Sequence, residues 1–155
     1  MKKINNKNFK KALSKFSTGV TIISINYNNN FLGKTVNSFA SLSLKPPLVL
    51  FSLDKKSTSL KKYMESNNIG ISILAKNQKR LSKIFANKNK NWNLAKYFLS
   101  KNNIPMIEKS LVNLLCKKNK TLANGDHIIF ICEVKEVLIN ERLKPLIYVN
   151  NKYIK

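Results

Sequence analysis

The sequence predicts a mainly β domain, an antiparallel barrel with short helices at its ends. Three observations lead there. Segments of strand length, rich in β-branched and other apolar residues, recur from Val20 to Val149. The helical segments between them are few and short. Strand and helix also fail to alternate regularly, as they would in a doubly wound sheet. At 155 residues and 43% hydrophobic, the chain can build one core, and residues 1–155 read as a single domain.

Taken in order, Phe9, Ala12, Leu13 and Phe16 recur at helical spacing and predict a short amphipathic helix over residues 8–16, with Lys10, Lys11 and Lys15 on its wet side. Gly19 permits a turn. Residues 20–25 are β-branched and alternate weakly, residues 28–30 are an Asn turn, and residues 31–39 resume an extended pattern; together they predict a β-hairpin. Ser38, Ser41 and Ser43 fall in a loop of small polar residues. Pro46-Pro47 blocks a helix and leads into the apolar run 48–51, which reads as a central strand. Ser57, Thr58 or Ser59 caps a helix with Leu60, Tyr63 and Met64 on its inner face, ending at Asn67-Asn68. A strand over residues 69–74 precedes a second helix, capped by Asn77, with Leu81, Ile84 and Phe85 on one side and Lys79, Arg80 and Lys83 on the other. Residues 87–93 form a polar connector and residues 94–99 one or two helical turns. After Pro105, residues 107–118 read as strand. Gly125-Asp126 opens a long strand from His127 to Ile139, and residues 146–149 form a last short one.

A formal charge of +22 first points to nucleic acid, since cations that neutralise phosphates release counterions. The 29 basic residues, however, are 27 Lys and only 2 Arg (Arg80 and Arg142), dispersed among 23 Asn. Arg is the side chain that forks onto phosphate and guanine, so its scarcity argues against a nucleic-acid partner. The positive field still attracts small phosphorylated molecules. No apolar run approaches the roughly 20 residues of a membrane span, and Met1-Lys2-Lys3 is followed by polar residues, not a signal core, so no membrane association is expected. Two cysteines (Cys116, Cys132) and one histidine (His127) make neither a disulfide framework nor a metal site. A cytoplasmic setting is expected, with both thiols in the core and Trp92 a covering or interface aromatic.

Hydrolytic constellations are scarce. Seven acidic residues show no pair at motif spacing, and four dispersed glycines exclude Rossmann and Walker loops. Hydroxyl-rich segments remain at strand ends: Thr35-Val36-Asn37-Ser38, Ser41-Leu42-Ser43, and the stretch from Ser52 to Ser59 with Lys55 and Lys56. The last is suited to a phosphate by its hydroxyls, cations and helix-start amides. Helix capping alone accounts for it equally simply.

Four segments carry a resemblance. Phe9-Lys10-Lys11-Ala12-Leu13-Ser14-Lys15-Phe16-Ser17-Thr18-Gly19-Val20-Thr21 is similar to an opening FRxALGxFATGVT. Gly33-Lys34-Thr35-Val36-Asn37-Ser38-Phe39-Ala40-Ser41-Leu42-Ser43 resembles GMTVNSFxSVS, Pro46-Pro47-Leu48-Val49-Leu50 resembles PPLVL, and Gly125-Asp126-His127 with Ile129-Phe130 resembles GDHxIF. By these motifs the chain is identified as a member of the flavin reductase-like family, the small NAD(P)H:flavin oxidoreductases that supply reduced flavin to two-component monooxygenases. The likeness runs from residue 9 to residue 153.

The resemblance implies an FMN-binding split barrel with Greek-key connections, a homodimer, FMN or FAD as the flavin, NADH or NADPH as co-substrate, and a monooxygenase as partner. It places Thr35, Val36, Asn37 and Ser38 against the isoalloxazine ring. Ser52, Leu53, Asp54, Ser57 and Thr58 run from the ring edge to the phosphate, with Ala75, Gln78 and Phe85 also lining the flavin. His127 and Tyr153 would contact the nicotinamide, Lys152-Tyr153 resembling a family GKY or GRY. No catalytic side chain is implied, because flavin and nicotinamide carry the chemistry. Three positions depart from the pattern: Lys34 stands where Met is usual, Asn87 where Gly often follows Phe-Ala, and Ser72-Ile73-Leu74 replaces Asn-Val-Leu. Two other readings are a non-enzymatic flavin-binding or electron-transfer protein of the same fold, and a basic nucleic-acid-binding barrel.

Overall fold

A computed structural model describes residues 3–87 and 91–154. In its first half lie α1 (Asn6–Leu13), β1 (Thr18–Gly19), β2 (Thr21–Tyr27), β3 (Asn30–Val36), β4 (Ala40–Leu44), β5 (Pro47–Asp54), α2 (Leu60–Glu65) and β6 (Asn68–Ile73). The second half holds α3 (Lys79–Ala86), β7 (Tyr97–Leu99), β8 (Pro105–Ile107), β9 (Val112–Asn124), β10 (His127–Ile139), β11 (Ile147–Val149) and β12 (Lys152–Tyr153), with 3₁₀ turns at Lys76–Gln78 and Trp92–Leu94. Among the described residues no helix is long and apolar enough to cross a membrane.

Seven strands form one sheet in the order β3-β2-β6-β9-β10-β5-β4, every pair antiparallel. The order itself shows why the sheet must roll up. β3 and β4 sit at opposite edges, yet only residues 37–39 join them. From Val36 to Ala40 the chain reaches roughly 14 Å when fully extended. Six interstrand gaps in a flat sheet would span about 29 Å. The flat arrangement is therefore excluded, and the edges meet. Ser38 holds them there: its Oγ accepts from Ser52 N at 3.0 Å and donates to Ser52 O at 3.2 Å, a side chain standing in for the next pair of the β4–β5 ladder.

Burial follows from this closure. β2 is covered on both faces: Ile23 and Ile25 point into the barrel with Phe51, Leu53, Ile69, Ile71 and Phe130, while Val20 and Ile22 face a second cluster of Leu74, Phe85, Trp92, Ile107 and Leu146. A strand buried on both sides shows little alternation, which explains the weak pattern of residues 20–25. Phe51 and Phe130 stack across β5 and β10 with centroids 4.9 Å apart. α2 plugs the barrel with Tyr63, whose hydroxyl donates to Ile23 O at 3.0 Å. Burial pushes the Cys132 thiol up to about 12 and Cys116 higher still, so both cysteines are core thiols with little nucleophilic thiolate at neutral pH.

Several boundaries differ from the sequence reading. α1 starts at Asn6, before Asn8, because Asn5 Oδ1 caps it by accepting from Asn8 N at 2.8 Å, and it ends at Leu13, before Phe16, where the chain turns toward β1. β3 stops at Val36, short of Phe39, where the chain crosses the seam. The serine loop 41–43 is β4, an exposed edge strand whose polar side chains match its wet face. The apolar run 48–51 belongs to β5, which lies next to that edge and not at the centre of the sheet; its covering comes from barrel curvature. Asn77 is inside the 3₁₀ turn and does not cap α3, since Gln78 turns back to accept from Ala75 N at 3.0 Å. Residues 94–99 are a 3₁₀ end and β7, paired to β8, because Tyr97 must reach Phe31 and Trp92. The strand read over residues 107–118 divides into β8 and β9 around a turn at residues 108–111. In the connector 87–93, residues 88–90 lie outside those described.

Gly33 of β3 packs directly on α3. A Cβ there would lie 2.6 Å from Phe85 Cδ1 and 3.0 Å from Trp92 Cζ2, rigid rings with nowhere to retreat. Gly33→Ala is expected to destabilise the fold by about 1–3 kcal/mol. Urea unfolding monitored by circular dichroism checks it; an unchanged midpoint would mean the two aromatic rings can part.

Candidate active site

The seam where β3 meets β5 gathers most of the candidate residues. Successive side chains of β3 point to opposite faces, so Lys34 and Thr35 diverge. Lys34 Nζ donates to Ser57 Oγ at 2.8 Å, in the loop after β5. Thr35 Oγ1 donates to Ser82 O at 2.7 Å on α3, and Ser82 Oγ shares a 2.8 Å hydrogen bond with Tyr153 Oη. Two neighbouring hollows result, each of about 220 Å³ and both touching Ala86 at the end of α3.

One hollow is polar, lined by Lys34, Asp54, Lys56, Ser57, Thr58 and Asn87. The other is lined by Val20, Thr35, Val36, Asn37, Ser82, Tyr148 and Tyr153, mostly apolar and aromatic surface with few polar atoms. On the far side of Ser57 and Thr58 a wider depression of about 570 Å³ reaches Leu60, Lys61 and Met64 of α2. Each hollow alone falls below the roughly 300 Å³ of a typical small-molecule site. Together they offer an apolar half and a cationic half.

His127 stands beside this group, opposite Asp54 in the β10–β5 register. Its Nδ1 lies 2.6 Å from Asp126 Oδ1, and that hydrogen bond, with the charge of the same ring, holds the Asp126 carboxyl below the usual carboxylate range. The turn is fixed from β5: Lys55 N donates to Asp126 O at 2.9 Å and Lys55 Nζ to Gly125 O at 2.6 Å. Gly125 needs its φ of +53°, which other residues adopt at a cost. The imidazole is half exposed and oriented by its neighbour.

The remaining candidates sit differently. Ser38 and Ser52 are engaged with each other across the seam, and Leu53 is in the barrel core. Ala75 and Gln78 are buried in a knot where Gln78 Nε2 donates to Glu108 O at 2.8 Å, and Phe85 packs under Gly33. None of these three lines either hollow. Ser82, Tyr148 and Val20 do line them and were not among the candidates, while Lys56 lines the polar one, as the cations of the 52–59 stretch suggested. Ser82 was within reach of the sequence, since it precedes Phe85 by three residues and so shares its helix face. Tyr148 carries no such signal, because only the pairing of β11 with β12 brings it to Tyr153. A separate concavity of about 510 Å³ beside Phe98, Ser110, Leu138 and Arg142 holds no candidate residue.

Comparison with known proteins gives the same direction. The model of the flavin reductase like domain matches residues 13–155. A protein of Agrobacterium fabrum described as FMN reductase (NADH) is 34% identical over 130 residues, 84% of this chain and 75% of that one. The reductase component of 4-hydroxyphenylacetate 3-monooxygenase from Thermus thermophilus is 30% identical over 149 residues, 94% of this chain and 93% of that one. The solved flavin reductase PheA2 is 33% identical with a TM-score of 0.90, over 98% of both chains. A Streptomyces globisporus NADH:FAD oxidoreductase, solved with NAD and FAD fragments, has a TM-score of 0.93 at 23% identity over 100% of this chain and 96% of that one, a likeness of fold. The rolled sheet is thus the split barrel of these neighbours, and the chain belongs to the flavin reductase-like family.

Proposed function

We propose that this single domain is an NAD(P)H:flavin oxidoreductase that passes reducing equivalents to FMN or FAD, the reduced flavin then serving a partner monooxygenase. The observation that carries the reading is the paired hollow on the seam, apolar and aromatic on one side and cationic on the other. That donor set fits a flavin: a flat ring suits the half with Val36 and Tyr148, and a phosphate suits the half with Lys34, Lys56, Ser57 and Thr58. When bound, nicotinamide and flavin supply the redox chemistry between themselves by hydride transfer. The chain binds, aligns and dries the two.

Its residues divide that work. Thr35 and Ser38 spend their hydroxyls on Ser82 and Ser52, which fixes the backbone of residues 35–38 as a rigid wall for the ring. Asn37 is exposed at that wall and is assigned to the ring's polar edge. Ser52, Leu53 and Asp54 form the strand leading to Ser57 and Thr58 at the phosphate. Ala75, Gln78 and Phe85 act from behind, positioning α3 through Gln78 and Gly33 contacts. His127 and Tyr153 flank the site and are assigned to the nicotinamide. A cytoplasmic setting fits the unbridged cysteines and a supply of NAD(P)H.

The second copy of a homodimer is assigned to apolar surface that one chain leaves open. Phe9, Leu13 and Phe16 are 49%, 57% and 76% exposed along α1 and its end, and Val137, Leu138 and Ile139 form an exposed run on β10. Sedimentation velocity should give twice the monomer mass; a monomer at micromolar concentration would refute this assembly.

Purified protein should oxidise NADH or NADPH only when FMN or FAD is added. NADH is the donor named for the relative from Agrobacterium. Tight flavin binding with no oxidation of either nucleotide would favour the non-enzymatic reading instead. His127→Ala should raise the nicotinamide KM about tenfold, the loss of one charge-assisted contact, while the flavin Kd stays within a factor of two. Parallel loss of both would remove His127 from the nicotinamide side.

A further inference from the structure

We propose that Asp126 is a positioning residue for His127: it holds the proton of the ring on Nδ1 and so leaves Nε2 bare, as the acceptor for the carboxamide NH2 of the nicotinamide. The inference rests on the oxidoreductase reading above and fixes which ring nitrogen meets the ligand.

An ionised carboxylate has no proton to give, so the 2.6 Å contact between Asp126 Oδ1 and His127 Nδ1 puts the hydrogen on Nδ1. The hydrogen bond from that ring and its charge, with Lys56 behind them, hold the Asp126 carboxyl below the usual carboxylate range and keep it an acceptor. Among the described residues no lysine closes on Asp126, whose one ion-pair partner is the imidazole. The turn cannot carry the carboxylate away. Lys55 N and Nζ hold the carbonyls of Asp126 and Gly125 at 2.9 and 2.6 Å, and Asn124 pairs with His127 to close the hairpin. The single proton of a neutral ring is then spent at Nδ1, and Nε2 accepts.

Acceptors are scarce on this face. His127 lies opposite Asp54, and since Ile128 and Leu53 point into the core, the two polar side chains share the outer face of β10 and β5. The lining beside them is rich in donors: Lys34, Lys55, Lys56, Ser57 and Thr58. Asp54 Oδ1 already accepts from Lys56 N at 2.7 Å. A ligand that brings an amide NH2 here therefore finds its acceptor at Nε2. The carboxamide is the only N–H donor of a nicotinamide ring.

Because His127 is the chain's only histidine, its tautomer is readable without resonance assignment. Long-range 1H–15N NMR of the untagged protein at about pH 8.5, chosen to populate neutral imidazole, should show Nδ1 as the protonated nitrogen. Asp126→Asn keeps the shape of the side chain, but an amide can present either its oxygen or its NH2 to the ring and no longer selects, so the spectrum should move toward Nε2–H. Asp126→Ala, which offers the ring no partner, should do the same. Kinetics at that pH compare NADH with its reduced 3-acetylpyridine analogue, whose methyl ketone has no N–H. Asp126→Asn should raise the KM for NADH roughly three- to fivefold as the competent tautomer is depleted, leave kcat within a factor of two, and not raise the KM for the analogue. A purely structural role for the turn would move neither the tautomer nor the ratio of the two KM values. Nε2–H in the wild type, or a wild-type tautomer in both variants, overturns the proposal. So does a KM that rises equally for the two nucleotides, or for neither. If no nicotinamide nucleotide is oxidised with flavin present, the oxidoreductase reading falls, while the spectra of the three proteins still uphold or overturn the hold of Asp126 on the ring.

Discussion

The three-residue link between β3 and β4 is the constraint on which the rest of the molecule depends. Strands at opposite edges of a seven-stranded sheet are tied by a tether half as long as the flat sheet is wide, so the sheet has one way to exist, rolled. Rolling gives the barrel its inner core around Phe51 and Phe130. It also turns the outer face of β2 into a wall for Phe85 and Trp92. Ser38 converts topological necessity into a defined register by offering one hydroxyl as both donor and acceptor to Ser52. Tyr63 and α2 then close an end that would otherwise expose apolar side chains.

Because the seam joins strands that are not neighbours in the ladder, its backbone is only partly paired and its side chains diverge into two hollows. That is why the residues proposed for binding concentrate there. The general charge of the chain acts differently from Lys34 and Lys56. Dispersed surface lysines make a diffuse field that salt screens over about 8–10 Å, helping capture without choosing a ligand. The two lysines in the hollow act at contact distance, where geometry chooses.

Sequence and structure agree best where one physical cause dominates. The β2–β3 hairpin was legible because Asn28 and Asn29 tolerate the left-handed backbone that its turn requires, and β10 because Gly125-Asp126 marks its start and apolar residues fill its first half. The segment at residues 35–38 stood out because a family motif falls on it, and residues 52–58 stood out by their hydroxyls, cations and helix start. Elements set by distant contacts were not. β4 looks like a loop since an edge strand with a wet face has no apolar run. β5 looks central because a rolled sheet buries strands that a flat one leaves near its margin. Residues 97–99 looked helical because their pairing with β8 and their contacts with Phe31 and Trp92 come from other parts of the chain. The candidates Ala75, Gln78 and Phe85 proved to lie behind the hollows, and a motif alone does not tell a lining residue from its support.

The position of Trp92 has one more consequence. It is the chain's only tryptophan, it is held edge-on among Phe31, Phe85 and Tyr97, and its ring lies against Gly33, the residue before Lys34 in the wall of the polar hollow. Indole emits in the near ultraviolet and blue, where a yellow ring absorbs. The molecule therefore carries its own optical gauge, a single emitter fixed behind the wall, whose brightness and lifetime track occupancy of the seam without any label.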